Sequence, residues 1–433
     1  MQHTAPSVKA SISPVAGNGR QSLFTKTQEW YKLANQESGA QILTQRDNEN
    51  RRDRLRLFER PETAYFLSRP NRFLVRCKRE GGVIHAFLPN PGRLLELLLP
   101  GRRLYLVKER ENPSRKTAYT VVAVEREGRP IMLHTHRTND VARHLLNHGR
   151  IPGLEETRVR TSEVRVGRSR FDFLLEKGRE RIFLEVKSCT LFGNRVAMFP
   201  DAVTERGARH LKELASCGQN GTRGAVLFVV HWPHVRIFMP DYHTDPVFSE
   251  TLLRVRHKIQ IIPISVGWNS DLSLSEEPKL LQIPWDLIER ESQDRGSYLL
   301  ILYLRRKRSL SVGRLGMVYF PQGFYIYVGS AMRGLGRRID RHRHARKRPH
   351  WHIDALRAVT EFRSAPAVRS SDRLECEIAR ALRGIGQWQI PGFGSTDCDC
   401  GTHLFGMNDD PLHRPDFHRL LQFFRMDRYE AGT

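Results

Sequence analysis

Acidic residues and cysteines are the two things this sequence is short of. Its 433 residues carry 47 Asp and Glu against 71 Lys and Arg, a formal charge of +24. A surface so one-sided repels itself until counter-charge arrives, so a polyanionic partner is expected. Six cysteines, three of them at 376, 398 and 400, are too few and too uneven for a disulfide framework, which predicts a reducing, cytoplasmic setting. No apolar run approaches the ~18 residues of a bilayer helix, and the longest, at 225–230 and 298–304, are strand-sized. No membrane partner is expected. No apolar core precedes a small-residue cleavage site near the start, so no secretory leader is expected either. With 39% hydrophobic residues the chain is too apolar to be disordered throughout, and its length predicts two to four domains.

Residues 1–60 mix Ser, Asn, Gln and Arg without periodicity and are expected to form a mobile extension. Short β-rich runs then follow one another at 72–77, 83–87, 103–107, 117–124 and 130–134, with turn residues between them, which predicts a small barrel over 61–135. From 136 to 266 helical and strand patterns alternate, as in an α/β layer. The polar stretch 267–290 is expected to be a linker to a further unit over 291–410, followed by a tail at 411–433.

Residues 170–187 form two strand patterns around a Gly178-Arg179 turn. A two-residue turn sets Lys177 against Glu180 and Asp172 against Glu185. Two facing carboxylates repel unless a cation lies between them. Because side chains alternate along a strand, Glu185 and Lys187 share a face with Phe183, whereas Ile182, Leu184 and Val186 point the other way. One face thus serves a core and the other carries acids and an ammonium, the groups a metal-dependent phosphodiesterase needs. The bland alternative is a charged strand facing water. A following helix places Arg206, Arg209, His210 and Glu213 on one side, a cationic face suited to a phosphate backbone.

Residues 169–175, 184–188 and 199–207 resemble the sugar fermentation stimulation protein (SfsA) family, and the likeness spans 61–265. The resemblance implies an N-terminal OB-like β-barrel, a PD-(D/E)XK nuclease-like α/β domain, DNA binding and a part in regulating sugar use. It also gives Asp172, Glu185 and Lys187 the nuclease-motif positions, with Asp172 and Glu185 as ligands for Mg²⁺ or Mn²⁺. The loop 89–92 reads Pro-Asn-Pro-Gly where the family has Pro-Asn-Thr-Gly, so no ligand contact is assigned there.

The last unit holds strands at 296–304 and 323–329, a basic stretch at 337–348 and a helix at 373–382. Tyrosine, arginine and glutamate can supply a base, a guanidinium for developing charge and a metal ligand; an aromatic core beside a solvated helix explains the same residues. The ordered set resembles an uncharacterised branch of the GIY-YIG nuclease superfamily. By that resemblance the unit is a C-terminal GIY-YIG-like α/β domain in which Tyr298, Tyr327, Arg338 and Glu375 are catalytic and Glu375 binds metal. The first motif reads Gly-Ser-Tyr in place of Gly-Ile-Tyr. Arg337, Arg341, Arg343 and Arg346 extend the basic face for nucleic acid. Cys398, Cys400 and His403 are candidate zinc ligands, with His344, His350 or His352 as a fourth; a glycine-rich turn with buried thiols is the competing reading.

The whole is read as an α/β multidomain DNA-binding protein, a metal-dependent nuclease with DNA expected ahead of RNA. The alternative is a noncatalytic regulator of sugar-metabolism genes that uses nuclease folds only to bind.

Overall fold

The computed structural model describes residues 55–110, 116–218, 221–275, 277–345 and 350–432. The expected extension lies largely outside them. Its end does not hang free: the Leu55 carbonyl accepts the Leu274 N–H at 2.9 Å, and Phe58 is buried.

Six strands open the described chain: β1 (Glu62–Asn71), β2 (Leu74–Arg79), β3 (Gly82–Phe87), β4 (Arg103–Lys108), β5 (Tyr119–Arg126) and β6 (Arg129–Met132). They run in the order β3-β2-β1-β4-β5-β6, and a parallel β3–β5 pairing closes the first five into a barrel. Alternate residues such as Ala64, Phe66, Val75 and Cys77 turn inward, as the pleat requires, and fill the interior. Register shifts at Phe66/Ser68 in β1 and Tyr105/Leu106 in β4 bend the strands enough to close it.

The second unit begins with α1 (Thr138–Asn147) and the meander β7 (Arg158–Val166), β8 (Ser169–Lys177) and β9 (Glu180–Cys189). A short sheet of β10 (Leu191–Phe192), β11 (Val196–Phe199) and β13 (Ile237–Pro240) lies beside α2 (Glu205–Ser216). The main sheet is completed by β12 (Thr222–Val230), β14 (Ile259–Ser265) and β15 (Lys279–Leu280), with α3 (Pro246–Val255) between the parallel strands β12 and β14. Its order is β15-β14-β12-β9-β8-β7. The central β12 is covered on both faces, which is why residues 225–230 read as one unbroken apolar run. Leu211, Leu214, Phe228 and Phe248 pack on one face; Val141, Leu145, Leu184 and Leu227 pack on the other.

The stretch 267–290 is not a loose connection. It supplies β15 and α4 (Trp285–Glu291), and it buries Trp268, Leu272, Leu281 and Ile288. The expectation failed because its Ser and Glu residues hid widely spaced apolar anchors.

The third unit is a sheet of β16 (Gly296–Leu304), β19 (Gly323–Ala331), β20 (Glu361–Ser364), β21 (Ala367–Arg369), β22 (Trp388–Gln389) and β23 (Leu404–Met407). Its main order is β20-β16-β19-β23-β22, and β21 also pairs with β16. A hairpin of β17 (Arg308–Ser311) and β18 (Met317–Phe320) projects from it. The even residues of β16 face α5 (Leu335–Arg343) and α6 (His352–Arg357); the odd ones face α7 (Glu375–Leu382) and α8 (Pro415–Arg425). The helix α8 lies in the stretch expected as a tail. It returns to the second unit, where Gln422 Nε2 donates to the Phe192 carbonyl at 3.0 Å and the Arg425 carbonyl lies 3.1 Å from His243 Nε2.

Candidate active site and thiol cluster

The hairpin register is the one the turn predicts, with Lys177 opposite Glu180 and Phe173 opposite Leu184. Pairing stops there, one step before Asp172 and Glu185. Where the two strands part, Asp172 Oδ2 accepts the Val186 N–H at 2.7 Å, so a side chain takes over from the ladder. Asn139 Nδ2, on α1, donates to Asp172 Oδ1 at 2.7 Å.

Glu185 is buried beside it. Its Oε1 is met by Lys187 Nζ and, at 2.7 Å, by His210 Nδ1 from α2. Glu185 Oε2 is buried and has no hydrogen-bond partner among the described residues. An orphaned carboxylate oxygen is costly unless something outside the chain satisfies it. Burial, and next the charge of Glu185, push the Asp172 carboxyl up to about 6. Burial also acts against ionisation of Glu185, yet Lys187 and then His210 hold its carboxyl below the usual range. Two neighbouring carboxylates thus differ in proton affinity, and the pair has a built-in ammonium.

The helix α2 places this histidine. Thr204 caps its first turn by accepting the Gly207 N–H at 3.0 Å, and Asp245 accepts the N–H of Thr204 at 2.8 Å and of Phe248 at 3.0 Å. A Cβ on Gly207 would lie 3.3 Å from the Phe248 ring, so glycine sets how closely α2 and α3 approach. Arg206 and Arg209 are exposed, as expected of a cationic face. His210 is not part of that face: it is buried against Glu185, with Arg206 Nε 3.2 Å from its Nε2.

Sequence reasoning missed a second acidic group at the junction with the barrel. Asp201 Oδ2 accepts the Leu94 N–H at 2.6 Å, and the Asp201 carbonyl accepts from Arg93 Nε at 2.7 Å. Burial and the nearby Asp201 push Glu96 up to about 8. The loop 89–92 therefore meets the segment following β11, and a Cβ on Gly92 would lie 2.9 Å from Asp201 Oδ2. The loop 89–92 and the segment 199–207 both stand out in the sequence, but their spacing says nothing of the contact between them.

In the third unit Tyr298 and Tyr327 pack edge to face with ring centroids 6.4 Å apart. Burial pushes both hydroxyls above the ordinary tyrosine range, aided next by the Tyr327 charge at Tyr298 and by the Glu375 charge at Tyr327. The Tyr298 hydroxyl lies 2.9 Å from His342 Nε2 and also has Arg338 as a hydrogen-bonding neighbour. Gly329 is small because the Tyr298 ring occupies the space where its Cβ would be, at 2.5 Å. Arg338 and Arg341 both lie over the Trp351 ring, with guanidinium-to-centroid distances of 4.1 and 4.4 Å. Arg341 is committed further, forming a two-pronged pair with buried Asp354 at 3.0 and 2.9 Å. Arg337 and Arg343 are exposed, and Arg346 lies outside the described residues.

Glu375 begins α7. Its Oε1 is 3.1 Å from His403 Nδ1, and its Oε2 accepts from the Ser330 hydroxyl. Cys376, Cys398, Cys400 and His403 bring their ligand atoms within 4.8 Å of one another, a set able to bind a metal. The fourth member is thus Cys376, not His344, His350 or His352. Cys376 was passed over because it is 22 residues upstream of Cys398, too far for a spacing rule.

A closed barrel joined to this mixed sheet defines a two-part class, and sequence comparison supports it independently. Residues 67–133 match the SfsA N-terminal OB domain, and residues 136–271 match the sugar fermentation stimulation protein RE domain. Residues 297–425 match a domain of unknown function, DUF123. The chain belongs to the sugar fermentation stimulation protein family. A homologue from Moorella thermoacetica is 44% identical over 190 residues, which cover 44% of this chain and 82% of the relative. One from Methanothermobacter thermautotrophicus is 36% identical over 212 residues, covering 49% and 88%. The structure of Pyrococcus furiosus SfsA in complex with Ca²⁺ is 29% identical and covers 53% of this chain and 99% of its own, with a TM-score of 0.48. Among the described residues no helix is long and apolar enough to cross a membrane.

Proposed function

We propose that the chain binds DNA and hydrolyses its phosphodiesters at Asp172, Glu185 and Lys187. The observation that carries this reading is the buried, unpartnered Glu185 Oε2 beside Asp172 and Lys187. Asp172 and Glu185 are the residues that would hold Mg²⁺ or Mn²⁺, and the hard oxygen donors suit either ion. When bound, such an ion neutralises phosphate charge and acidifies a coordinated water. The chain's own contribution is orientation. Val186 and Asn139 fix the Asp172 carboxylate, and His210 with Lys187 fixes Glu185 through its Oε1. Lys187 Nζ, bonded to Glu185 Oε1, is a charge that can pass to a phosphate oxygen as negative charge develops. Exposed Arg206 and Arg209 on the neighbouring helix would grip the backbone without reading bases.

Cleavage is assigned here rather than to the tyrosine set. The Tyr298 hydroxyl is already engaged with His342, and Glu375 has no buried unpartnered oxygen of the kind Glu185 Oε2 offers. Incubating the full chain with Mg²⁺ or Mn²⁺ and single-stranded, duplex and branched DNA, with RNA in parallel, tests the reading. Metal-dependent DNA cleavage that disappears in Asp172→Ala is expected. Salt-sensitive DNA binding with no cleavage under any metal would point instead to a noncatalytic binder.

A further inference from the structure

We propose that Cys376, Cys398, Cys400 and His403 hold a single zinc ion and that this ion fixes Glu375 through His403. The four residues come from two parts of the third unit. Cys376 is in the first turn of α7, Cys398 and Cys400 are in the loop between β22 and β23, and His403 immediately precedes β23. A local turn over 398–403 can gather three of them, but only the tertiary fold brings Cys376 to the others. Their ligand atoms lie within 4.8 Å of one another. Sulfur and nitrogen donors at ordinary zinc distances stand roughly 3.5–3.8 Å apart in a tetrahedron, so only a small contraction separates this cluster from a filled site. All three cysteines are free thiols. Three thiolates and an imidazole are soft donors that favour zinc and disfavour magnesium. The spacing also suits one ion better than a two-iron cluster, whose end ligands sit on different metals.

The loop shows why an ion belongs there. Between β22 and β23 its buried apolar anchors are Ile390 and Phe393, both before the cysteines, and 394–401 add none. Its shape rests on a few polar links: Gly392 N–H to the Gly401 carbonyl at 2.8 Å and His403 N–H to the Phe393 carbonyl at 2.8 Å. Gly392 and Gly394 have left-handed backbone, with φ of 66° and 73°, which lets the chain fold back on itself. A segment this poor in buried surface gains order from a metal cross-link.

The histidine connects the cluster to Glu375. Its Nε2 faces the thiols, 3.5 Å from Cys398 Sγ, and its Nδ1 is 3.1 Å from Glu375 Oε1. That is the carboxylate–histidine–metal relay in which an outer carboxylate fixes the ring tautomer and raises ligand basicity. Ser330 anchors the other carboxylate oxygen from β19. Glu375 is then a positioning residue for the zinc ligand, one bond removed from the ion. This inference is independent of the Asp172 site and stands or falls without it.

The test is metal analysis of the full chain, purified from zinc-supplemented medium and cleared of loosely bound ions. One zinc per chain is expected, retained in Cys217→Ser and in His403→Cys, and lost in the double variant Cys398→Ser/Cys400→Ser. Stripped wild-type protein reloaded with Co²⁺ should show the visible bands of a tetrahedral thiolate site, which needs no variant to fold. Glu375→Gln should keep the stoichiometry but bind about 10-fold to 100-fold more weakly in chelator competition, with Glu375→Ala at the weak end. A folded wild-type chain free of zinc and unable to take up Co²⁺ overturns the proposal. So does zinc retained by the double variant, or iron with a cluster absorption. Unchanged affinity in Glu375→Ala overturns the link to Glu375.

Discussion

Asp172 Oδ2 accepts the backbone N–H of Val186 at 2.7 Å, at the place where β8 and β9 stop pairing. A carboxylate fastened to the neighbouring strand cannot swing away from its charge neighbour, and it is held at about 6 by burial and by Glu185.

The sign of its pH effect follows from that raised value. The group contributes most stability below the unfolded value near 3.8, and this is lost as pH rises through about 6. Metal-free protein should therefore be more stable at pH 5.5 than at pH 8, by roughly 0.8 kcal/mol for this group. Asp172→Asn should flatten that dependence. Mg²⁺ should raise the wild-type melting temperature more at pH 8 than at pH 5.5 and leave Asp172→Asn unmoved. Calorimetry with chelator or Mg²⁺ checks both, and equal Mg²⁺ shifts in the two proteins would count against a metal at Asp172.

Arg206, Arg209 and Arg341 divide into two kinds, the first two exposed and the third paired with Asp354. Arg206→Ala and Arg209→Ala should weaken DNA binding similarly across sequences, each lowering the slope of log affinity against log salt by about one. Arg341→Ala should instead destabilise the third unit by about 3 kcal/mol, since it strips the two-pronged partner from buried Asp354. Binding isotherms at several salt concentrations, set beside melting curves, separate the two classes.

Glu291 offers an acid-sensitive contact. Burial opposes its ionisation, but Ser371, Arg290 and Arg428 hold its carboxyl at about 2. Stability from this depressed group is present above about pH 4.5 and is lost as pH falls toward about 2. Glu291→Gln should cost on the order of 2 kcal/mol at pH 7, after discounting for exposed Arg290, and should lessen the loss between pH 4.5 and 2. Thermal melts across that range read the effect; an unchanged acid limb would argue against it.

Gly329→Ala should disturb Tyr298, because the new methyl would meet its ring at 2.5 Å. A loss of about 1–3 kcal/mol is expected, together with a changed Tyr298–His342 contact visible in the histidine resonances.

Regular alternation made much of the fold legible. The turn at Gly178-Arg179 fixed the β8–β9 register, and the double burial of β12 showed as an apolar run. Asp172, Glu185 and Lys187 were legible because strand spacing is rigid. What escaped depended on contacts distant in sequence: Asn139 with Asp172, Asp201 with Leu94, Cys376 with the later cysteines. His210 was found but assigned to the wrong surface, since helical spacing groups residues without saying which neighbour covers them. Arg341 shows the same limit, as nothing in a basic run marks the member that pairs with Asp354.

The returning helix α8 has a thermodynamic consequence. Gln422 on Phe192, Arg425 on His243 and the Asp427 carboxylate on the Asn194 N–H at 2.9 Å all cross from the third unit to the second. Melting either unit therefore exposes docking surface on the other, and the two should unfold as one cooperative block. Although sequence matching divides the chain into separate families, heat should find a single transition across them.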